Sequence, residues 1–172
     1  MAKREEKEEV NLPLQTATAN CLLPLYMHTL PQLLDLIDRY AGDHPFPAEP
    51  RELYEPCEYI LALGGKRLRP ALLLMGYELW GDDPERALPP AWAVELFHNF
   101  TLMHDDIMDA APLRRGKPTV HTKWNTTTGI LSGDVMLIRA YQHLVNAGAP
   151  DGALELVNTF NRVATEVCEG QQ

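Results

Sequence analysis

Three aspartates, Asp105, Asp106 and Asp109, stand at the end of an apolar segment whose composition is typical of a buried helix. Asp105 and Asp109 are four residues apart, so a helix brings them onto one face, and Asp106 lies about 100° round the same turn. Carboxylates crowded in this way repel one another unless a cation lies among them. Because Mg²⁺ prefers oxygen ligands and often bridges carboxylates to substrate phosphates, these are candidate magnesium ligands. The alternative is a solvated acidic helix end paired with Arg114 and Arg115.

Two short basic segments, Lys66–Arg69 and Arg114–Lys117, contrast with the acidic composition of the chain. The formal net charge of −9 and the pI of about 5.1 argue against nucleic acid as a partner, because a phosphate backbone requires a net basic face. Both segments are candidate sites for a small anionic ligand. Together with the aspartates they predict a cavity that handles a divalent metal and a polyanion.

The first basic segment lies within GGKRLRP, residues 64–70, between two predicted helices. Lys66 and Arg69 are three residues apart and share a face if the segment is helical. The two glycines leave backbone N–H groups accessible, and the N-terminus of the following helix also favours an anion. The spacing differs from that of a Walker A loop, and no predicted strand precedes it. The alternative is a helix C-cap followed by surface basic residues.

Other residues of the predicted central helix share one face of that helix with Asp105 and Asp109. His98 lies seven residues before Asp105, in a stripe that also contains Glu95, Leu102 and Asp109. A single histidine on a core helix is more often a buried, hydrogen-bonded side chain, so that alternative stays open.

Three further side chains have weaker assignments. His104 could support a ligand carboxylate through a hydrogen bond, and His121 is a lesser candidate. Phe100 is either plain core or the floor of an apolar pocket below the acids.

The apolar pattern predicts an all-α protein. Helices are expected at residues 19–40, 53–63, 70–80, 91–109, 125–147 and from about 151 onward, joined by turn-rich loops. Pro31 either starts a new helix or kinks the first one. No segment combines alternating polarity with a hairpin dipeptide, so no sheet is expected. Small residues such as Ser132 and Gly133 would permit close approach of a neighbouring helix.

The 172 residues are enough for one domain. Residues 1–12 are charged and expected to be disordered. Cys21, Cys57 and Cys168 are widely spaced and expected to be free thiols in a reducing compartment. With no secretory signal and no long apolar run, the sequence predicts a cytoplasmic protein without stable membrane insertion. The last helix reaches Gly170 without a stop signal, so the chain is expected to be the N-terminal part of one longer domain whose C-terminal helices are absent.

These motifs together resemble those of the trans-isoprenyl diphosphate synthases, the polyprenyl synthetase family that includes farnesyl and geranylgeranyl diphosphate synthases. GGKRLRP is similar to the family's motif for the homoallylic diphosphate. HDDIMDAAPLRRGKPTVH, residues 104–121, is similar to its first aspartate-rich motif with the arginine pair behind it, and the final EGQQ to the end of the helix that carries its Gly-Gln pair. The resemblance covers residues 53–172 and implies an antiparallel helix bundle, usually a homodimer.

The resemblance implies a role for each matching residue. Asp105, Asp106 and Asp109 would hold Mg²⁺ ions bridging an allylic diphosphate, and Arg114 would bind that same diphosphate. The residues implied to bind isopentenyl diphosphate are Lys66, Arg69, His98 and Arg115.

The same resemblance implies a reaction and a product size. Metal ions and arginine neutralise the leaving diphosphate, so the C–O bond ionises to an allylic cation that the double bond of isopentenyl diphosphate attacks. Apolar walls exclude water from the cation. Phe100 and Thr101, an aromatic residue five before the first aspartate and its small neighbour, imply a short product of about farnesyl to geranylgeranyl length.

One element of the family pattern is missing. The family carries a second aspartate-rich motif downstream that these 172 residues do not contain, which implies that the chain alone is inactive. The alternatives are a non-catalytic partner subunit of a heteromeric synthase, a terpene cyclase, a phosphohydrolase using scattered histidines, and a helical interaction module. The intact aspartates and arginines count against the first, and GGKRLRP counts against the second.

Overall fold

The computed structural model describes residues 27–147 and 150–171. Its helices in chain order are α1 (Leu30–Asp43), α2 (Arg51–Ala62), α3 (Leu68–Glu78), α4 (Leu88–Met108), α5 (Val120–Lys123), α6 (Thr126–Val145) and α7 (Pro150–Glu169). A 3₁₀ turn, Pro84–Ala87, leads into α4. Two-residue strands, β1 (Leu113–Arg114) and β2 (Lys117–Pro118), form an antiparallel ladder between α4 and α5. The prediction of an all-α fold is confirmed.

Helix α4 is the centre of the bundle and packs against α1, α3 and α6. Its buried residues point in every direction: Ala91 and Ala93 are fully buried, and Leu96 and Met103 are 1% exposed. A helix enclosed in this way needs apolar residues all round rather than in a single stripe. A buried charged side chain on α4 therefore needs a partner inside the bundle.

Small residues allow α6 to lie close to α4. A Cβ on Gly129 would come within 2.9 Å of Ile107 Cδ1, and a Cβ on Gly133 would overlap the His104 ring. The fully buried Ser132 donates a hydrogen bond of 2.8 Å to the Leu53 carbonyl of α2. The close approach expected from these small residues is therefore present.

The other predicted helices agree with the structure to within about three residues at each end. The exception is the first helix. Pro31 occupies the first turn of α1, so a new helix starts there, as proline favours. Residues 1–26, including the segment expected to be disordered and Cys21, lie outside the described residues. No helix in the described ranges is long and apolar enough to span a lipid bilayer.

The prediction that the chain contains no sheet was wrong in the basic loop. Leu113 pairs with Pro118 and Arg114 with Lys117. Between them Arg115 and Gly116 have φ of 53° and 75°, and positive φ at both central residues is what a type I′ hairpin turn requires. The strands are too short to show alternation, and Arg-Gly is not a usual hairpin dipeptide, so no hairpin signal is present in the sequence.

His143 is a buried histidine near the C-terminal end of α6. The Tyr40 hydroxyl lies 3.0 Å from its Nδ1, and the His44 ring packs edge-on with centroids 5.5 Å apart. Burial, followed by the charges of His44 and Arg139, lowers the pKa of His143 to about 4. His143 is therefore neutral in the folded protein at neutral pH.

Replacement of His143 with glutamine is expected to make the protein less sensitive to acid. An unfolded histidine takes up its proton near pH 6.5 and the folded one near pH 4, so stability is lost as the pH falls between these values, by up to about 1.4 kcal/mol per pH unit. Urea unfolding of wild type and His143→Gln across this window measures the two slopes. Equal slopes would contradict the prediction.

Candidate active site

The aspartates occupy the C-terminal end of α4, which closes with a tight turn. Ala110 has φ of 50°, the Ala111 N–H donates to the Asp106 carbonyl at 2.9 Å, and the Ala110 N–H donates to the Ile107 carbonyl at 3.1 Å. These two bonds form a Schellman motif with Asp109 as the C-cap. The turn sends the chain back along α4, so the hairpin that follows lies beside the aspartates.

Asp106 and Arg114 form a bidentate ion pair. Arg114 Nε donates to Asp106 Oδ2 at 2.7 Å, and Nη2 donates to Oδ1 at 2.9 Å. The Asp106 residue is only 4% exposed. The pair therefore holds the start of the hairpin against α4, and both oxygens of Asp106 are engaged.

Asp105 and Asp109 remain without a side-chain partner within residues 27–147 and 150–171. Asp105 is half-buried and Asp109 is exposed. Burial first, and then the charge of Asp109, raise the pKa of Asp105, while nearby Arg114 opposes the rise. The negative end of the α4 dipole adds to the repulsion. This pair of carboxylates would be relieved by a cation.

The three aspartates do not converge on one point. Among the described residues, no group of three or more His, Cys, Asp or Glu is arranged to hold a metal ion. Asp106 turns toward Arg114, whereas Asp105 and Asp109 stay available. The assignment of all three as metal ligands stays a prediction.

Arg69 and His98 meet at the side of α4. Arg69 Nη1 lies 3.1 Å from His98 Nε2, and the guanidinium must donate because arginine has no acceptor. Burial, and then the positive charge of Arg69, lower the pKa of His98; Arg115 and Arg114 also lower it, and Glu95 opposes them. A neutral His98 that accepts from Arg69 therefore stands among three guanidinium groups.

Arg115 reaches the loop after α2. A Cβ on Gly65 would lie 3.1 Å from both terminal nitrogens of the Arg115 guanidinium. Glycine at this position therefore lets the hairpin arginine lie against the loop. Lys66, next to Gly65, is exposed. The structure thus brings the two basic segments into one region, although they are far apart in sequence.

The structure adds one pair that the sequence analysis did not assign. Arg67 Nη1 lies 2.6 Å from Glu95 Oε1, and both side chains are largely buried. Glu95 was expected in the same stripe as His98, Asp105 and Asp109, without an assigned partner. In the structure its carboxylate pairs with Arg67. The available signal was the position of Glu95 on a helix with no solvated face, where an acid requires a basic partner.

The remaining candidates lie against the core. The Phe100 ring lies 5.8 Å from that of Phe97 and 4.6 Å from that of His104. The Thr101 hydroxyl donates to the His98 carbonyl at 2.8 Å. His104 Nε2 lies 3.2 Å from the Ile130 carbonyl, so this ring binds α6. The Nδ1 atom of His121 is buried without a hydrogen-bond partner among the described residues.

An apolar pocket of about 180 Å³ lies between α3, α4 and α7. Its lining is almost entirely carbon, and its aromatic members are Phe97 and Phe160. Phe97 is two helical turns closer to the N-terminus of α4 than Asp105. Phe97, rather than Phe100, contributes the α4 aromatic ring of this pocket.

The protein is an all-α bundle in which two basic segments lie beside a pair of carboxylates. The chain belongs to the polyprenyl synthetase family, whose sequence model matches residues 50–172. A geranylgeranyl diphosphate synthase of Methanosarcina mazei is 46% identical over 123 residues, which cover 71% of this chain and 38% of that protein.

Solved structures show the same fold. A crystal structure of a geranylgeranyl pyrophosphate synthase is similar with a TM-score of 0.82 and 53% identity, covering 85% of this chain and 44% of that one. The geranylgeranyl pyrophosphate synthetase of the archaeon Geoglobus acetivorans has a TM-score of 0.80 and 38% identity, covering 84% and 47%. The bundle is of the isoprenoid synthase type, and the chain spans less than half the length of these relatives.

Substitution of Asp106 is expected to cost stability, whereas substitution of Asp109 is not. Asp106→Asn removes the charge that Arg114 needs, at a cost of about 2 kcal/mol for a largely buried, hydrogen-bonded pair. Asp109→Asn removes only repulsion from an exposed site. Thermal unfolding of the two variants checks the prediction, and an equal loss in both would contradict it.

Proposed function

We propose that the protein containing this chain is a short-chain polyprenyl diphosphate synthase that condenses isopentenyl diphosphate with an allylic diphosphate. The observation that supports this most directly is the presence of two groups of basic side chains beside one carboxylate pair. Arg69, His98 and Arg115 form one group, and Arg114 belongs to the other. Two separate diphosphates need two such groups.

The first group is proposed to bind isopentenyl diphosphate. Arg69 and Arg115 provide planar donors suited to phosphate oxygens, and Lys66 adds a mobile charge from the adjoining loop. His98 is neutral because its pKa is lowered by burial and by Arg69. A neutral ring can exchange its hydrogen bond with Arg69 for one with the ligand without adding charge.

The second group fits a magnesium-bound allylic diphosphate. Asp105 and Asp109 offer carboxylate oxygens at the negative end of a helix, the donor chemistry that Mg²⁺ prefers. Magnesium held there would neutralise the leaving diphosphate. Asp106 would contribute through Arg114, which it orients toward the same diphosphate, or as a third ligand after a change of partner.

The pocket beside Phe97 is proposed to receive the apolar tail of the allylic substrate. Its carbon lining excludes water from the region below the carboxylates. Phe100 lies between this pocket and the aspartates, in ring contact with both Phe97 and His104. A bulky ring at this point would limit the length of the product to about farnesyl or geranylgeranyl.

Further parts of the proposal concern assembly and location. Leu131, Ile138 and Val145 lie seven residues apart on the exposed face of α6. This apolar line supports a homodimer of the whole protein. The free thiols of Cys57 and Cys168 support a reducing, cytoplasmic location. The 172 residues by themselves are proposed to lack synthase activity, as they span 38% of the Methanosarcina relative.

The intact protein, given farnesyl and isopentenyl diphosphates with magnesium, is expected to lengthen the allylic chain. Calorimetry is expected to show binding of pyrophosphate that depends on magnesium and falls more than about tenfold in Asp105→Asn/Asp109→Asn. Asp35→Asn/Asp38→Asn, which changes two exposed acids of α1, is the matched control. Failure to lengthen the chain contradicts the proposal, and binding without reaction would instead favour a non-catalytic subunit.

Replacement of Phe100 with alanine is expected to shift the products of the intact protein to longer chains, because it opens the path beside Phe97. Trp80→Ala serves as the control, since that ring is 93% exposed. Chromatography of the dephosphorylated products gives the chain lengths. An unchanged product distribution would remove Phe100 from the role of length limit.

A further inference from the structure

The Arg67–Glu95 pair connects the loop after α2 to the central helix. Arg67 Nη1 lies 2.6 Å from Glu95 Oε1, Arg67 Nη2 donates to the Leu61 carbonyl at 3.3 Å, and the guanidinium lies 5.6 Å from the centre of the Trp92 ring. One arginine side chain therefore touches the end of α2 and two successive turns of α4. Glu95 is 5% exposed, so the pair is shielded from water.

The backbone at Arg67 needs to be held in place. Its φ of 47° lies in the left-handed region, which is unfavourable for a non-glycine residue. Arg67 is also the N-cap of α3, and its carbonyl accepts the Ala71 N–H at 3.2 Å. The conformation of Arg67 thus sets both the path of the loop and the start of α3.

The neighbours of Arg67 are the residues proposed to bind isopentenyl diphosphate. Lys66 precedes it, and Arg69 in the first turn of α3 meets His98 at 3.1 Å. His98 is one turn beyond Glu95 on α4. Two contacts therefore connect the 64–69 segment to α4. The Arg67–Glu95 pair does so in the interior, and the Arg69–His98 pair does so at the surface.

We propose that Arg67 and Glu95 are positioning residues, which fix the 64–69 loop on α4 so that Lys66 and Arg69 are presented to isopentenyl diphosphate. Neither side chain touches the ligand in this scheme. The identity of the ligand in this inference rests on the proposed function. The positioning of the 64–69 loop does not depend on that function.

The direction in which one substitution changes diphosphate affinity distinguishes a positioning role from a purely electrostatic one. Glu95 is an anion close to an anion-binding site, so Glu95→Gln would tighten diphosphate binding if charge alone mattered. Loss of positioning has the opposite effect and would weaken it. We expect Glu95→Gln to raise the dissociation constant for isopentenyl diphosphate about tenfold, as misplaced binding groups do. Tighter binding in this variant overturns the inference.

A second variant avoids leaving a buried charge unpaired. Arg67→Met/Glu95→Leu removes both charges and replaces the pair with apolar groups, which is often tolerated. The Asn99 amide keeps its 2.8 Å hydrogen bond to the Glu95 main-chain carbonyl. The matched control is Arg51→Met/Glu55→Leu, which removes the exposed pair of α2.

Hydrogen exchange of the ligand-free intact protein tests positioning directly. Amides of residues 64–69 are expected to exchange about tenfold faster in Arg67→Met/Glu95→Leu than in wild type or the control. Unchanged exchange in this loop overturns the inference. This readout needs no ligand, so it decides the positioning role even if the protein fails to bind isopentenyl diphosphate and the proposed function falls.

Binding experiments then test selectivity. Isopentenyl diphosphate is expected to bind about tenfold more weakly to Arg67→Met/Glu95→Leu, whereas magnesium-dependent binding of pyrophosphate at Asp105 and Asp109 stays unchanged. A purely structural role would weaken both in parallel, and that result overturns the inference.

Discussion

The cost of burying charge on α4 governs the rest of this structure. Most of α4 is enclosed by other helices, so its two buried acids, Glu95 and Asp106, each require a cation. Glu95 obtains Arg67 from the loop after α2, and Asp106 obtains Arg114 from the hairpin. These two ion pairs dock both basic segments onto the same helix, one at Glu95 and the other at Asp106. The same segments then carry the exposed groups that are free to meet a ligand.

The two basic segments therefore contain residues of two kinds. Arg67 and Arg114 are engaged inward by α4 carboxylates, whereas Lys66, Arg69 and Arg115 are exposed. Each segment also contains one non-glycine residue in the left-handed region of backbone conformation. Arg67 and Arg115 have positive φ without being glycine. The strain is located where the chain must present charge in two directions.

Much of this arrangement follows from the sequence. The six predicted helices are long and strongly patterned, so their order follows from the sequence, whereas the four-residue helix α5 has no such pattern and was not predicted. The acids at the end of an apolar helix indicate the candidate site. The inward pairing of Arg67 does not follow from the sequence, because residue types alone do not show that Glu95 is its partner. Helical spacing places Glu95 on the same face as His98. It does not show that the carboxylate of Glu95 forms an ion pair with Arg67. The β-hairpin was missed because two-residue strands have no periodicity.

The contact of Arg115 with Gly65 joins positions about fifty residues apart in the chain. Such a contact closes a large loop, and the entropy lost in closing that loop opposes folding until both segments are docked. A partly folded chain with α4 alone would show exposed aspartates and no anion site. A ligand that both segments bind, as proposed above, would stabilise only the complete bundle.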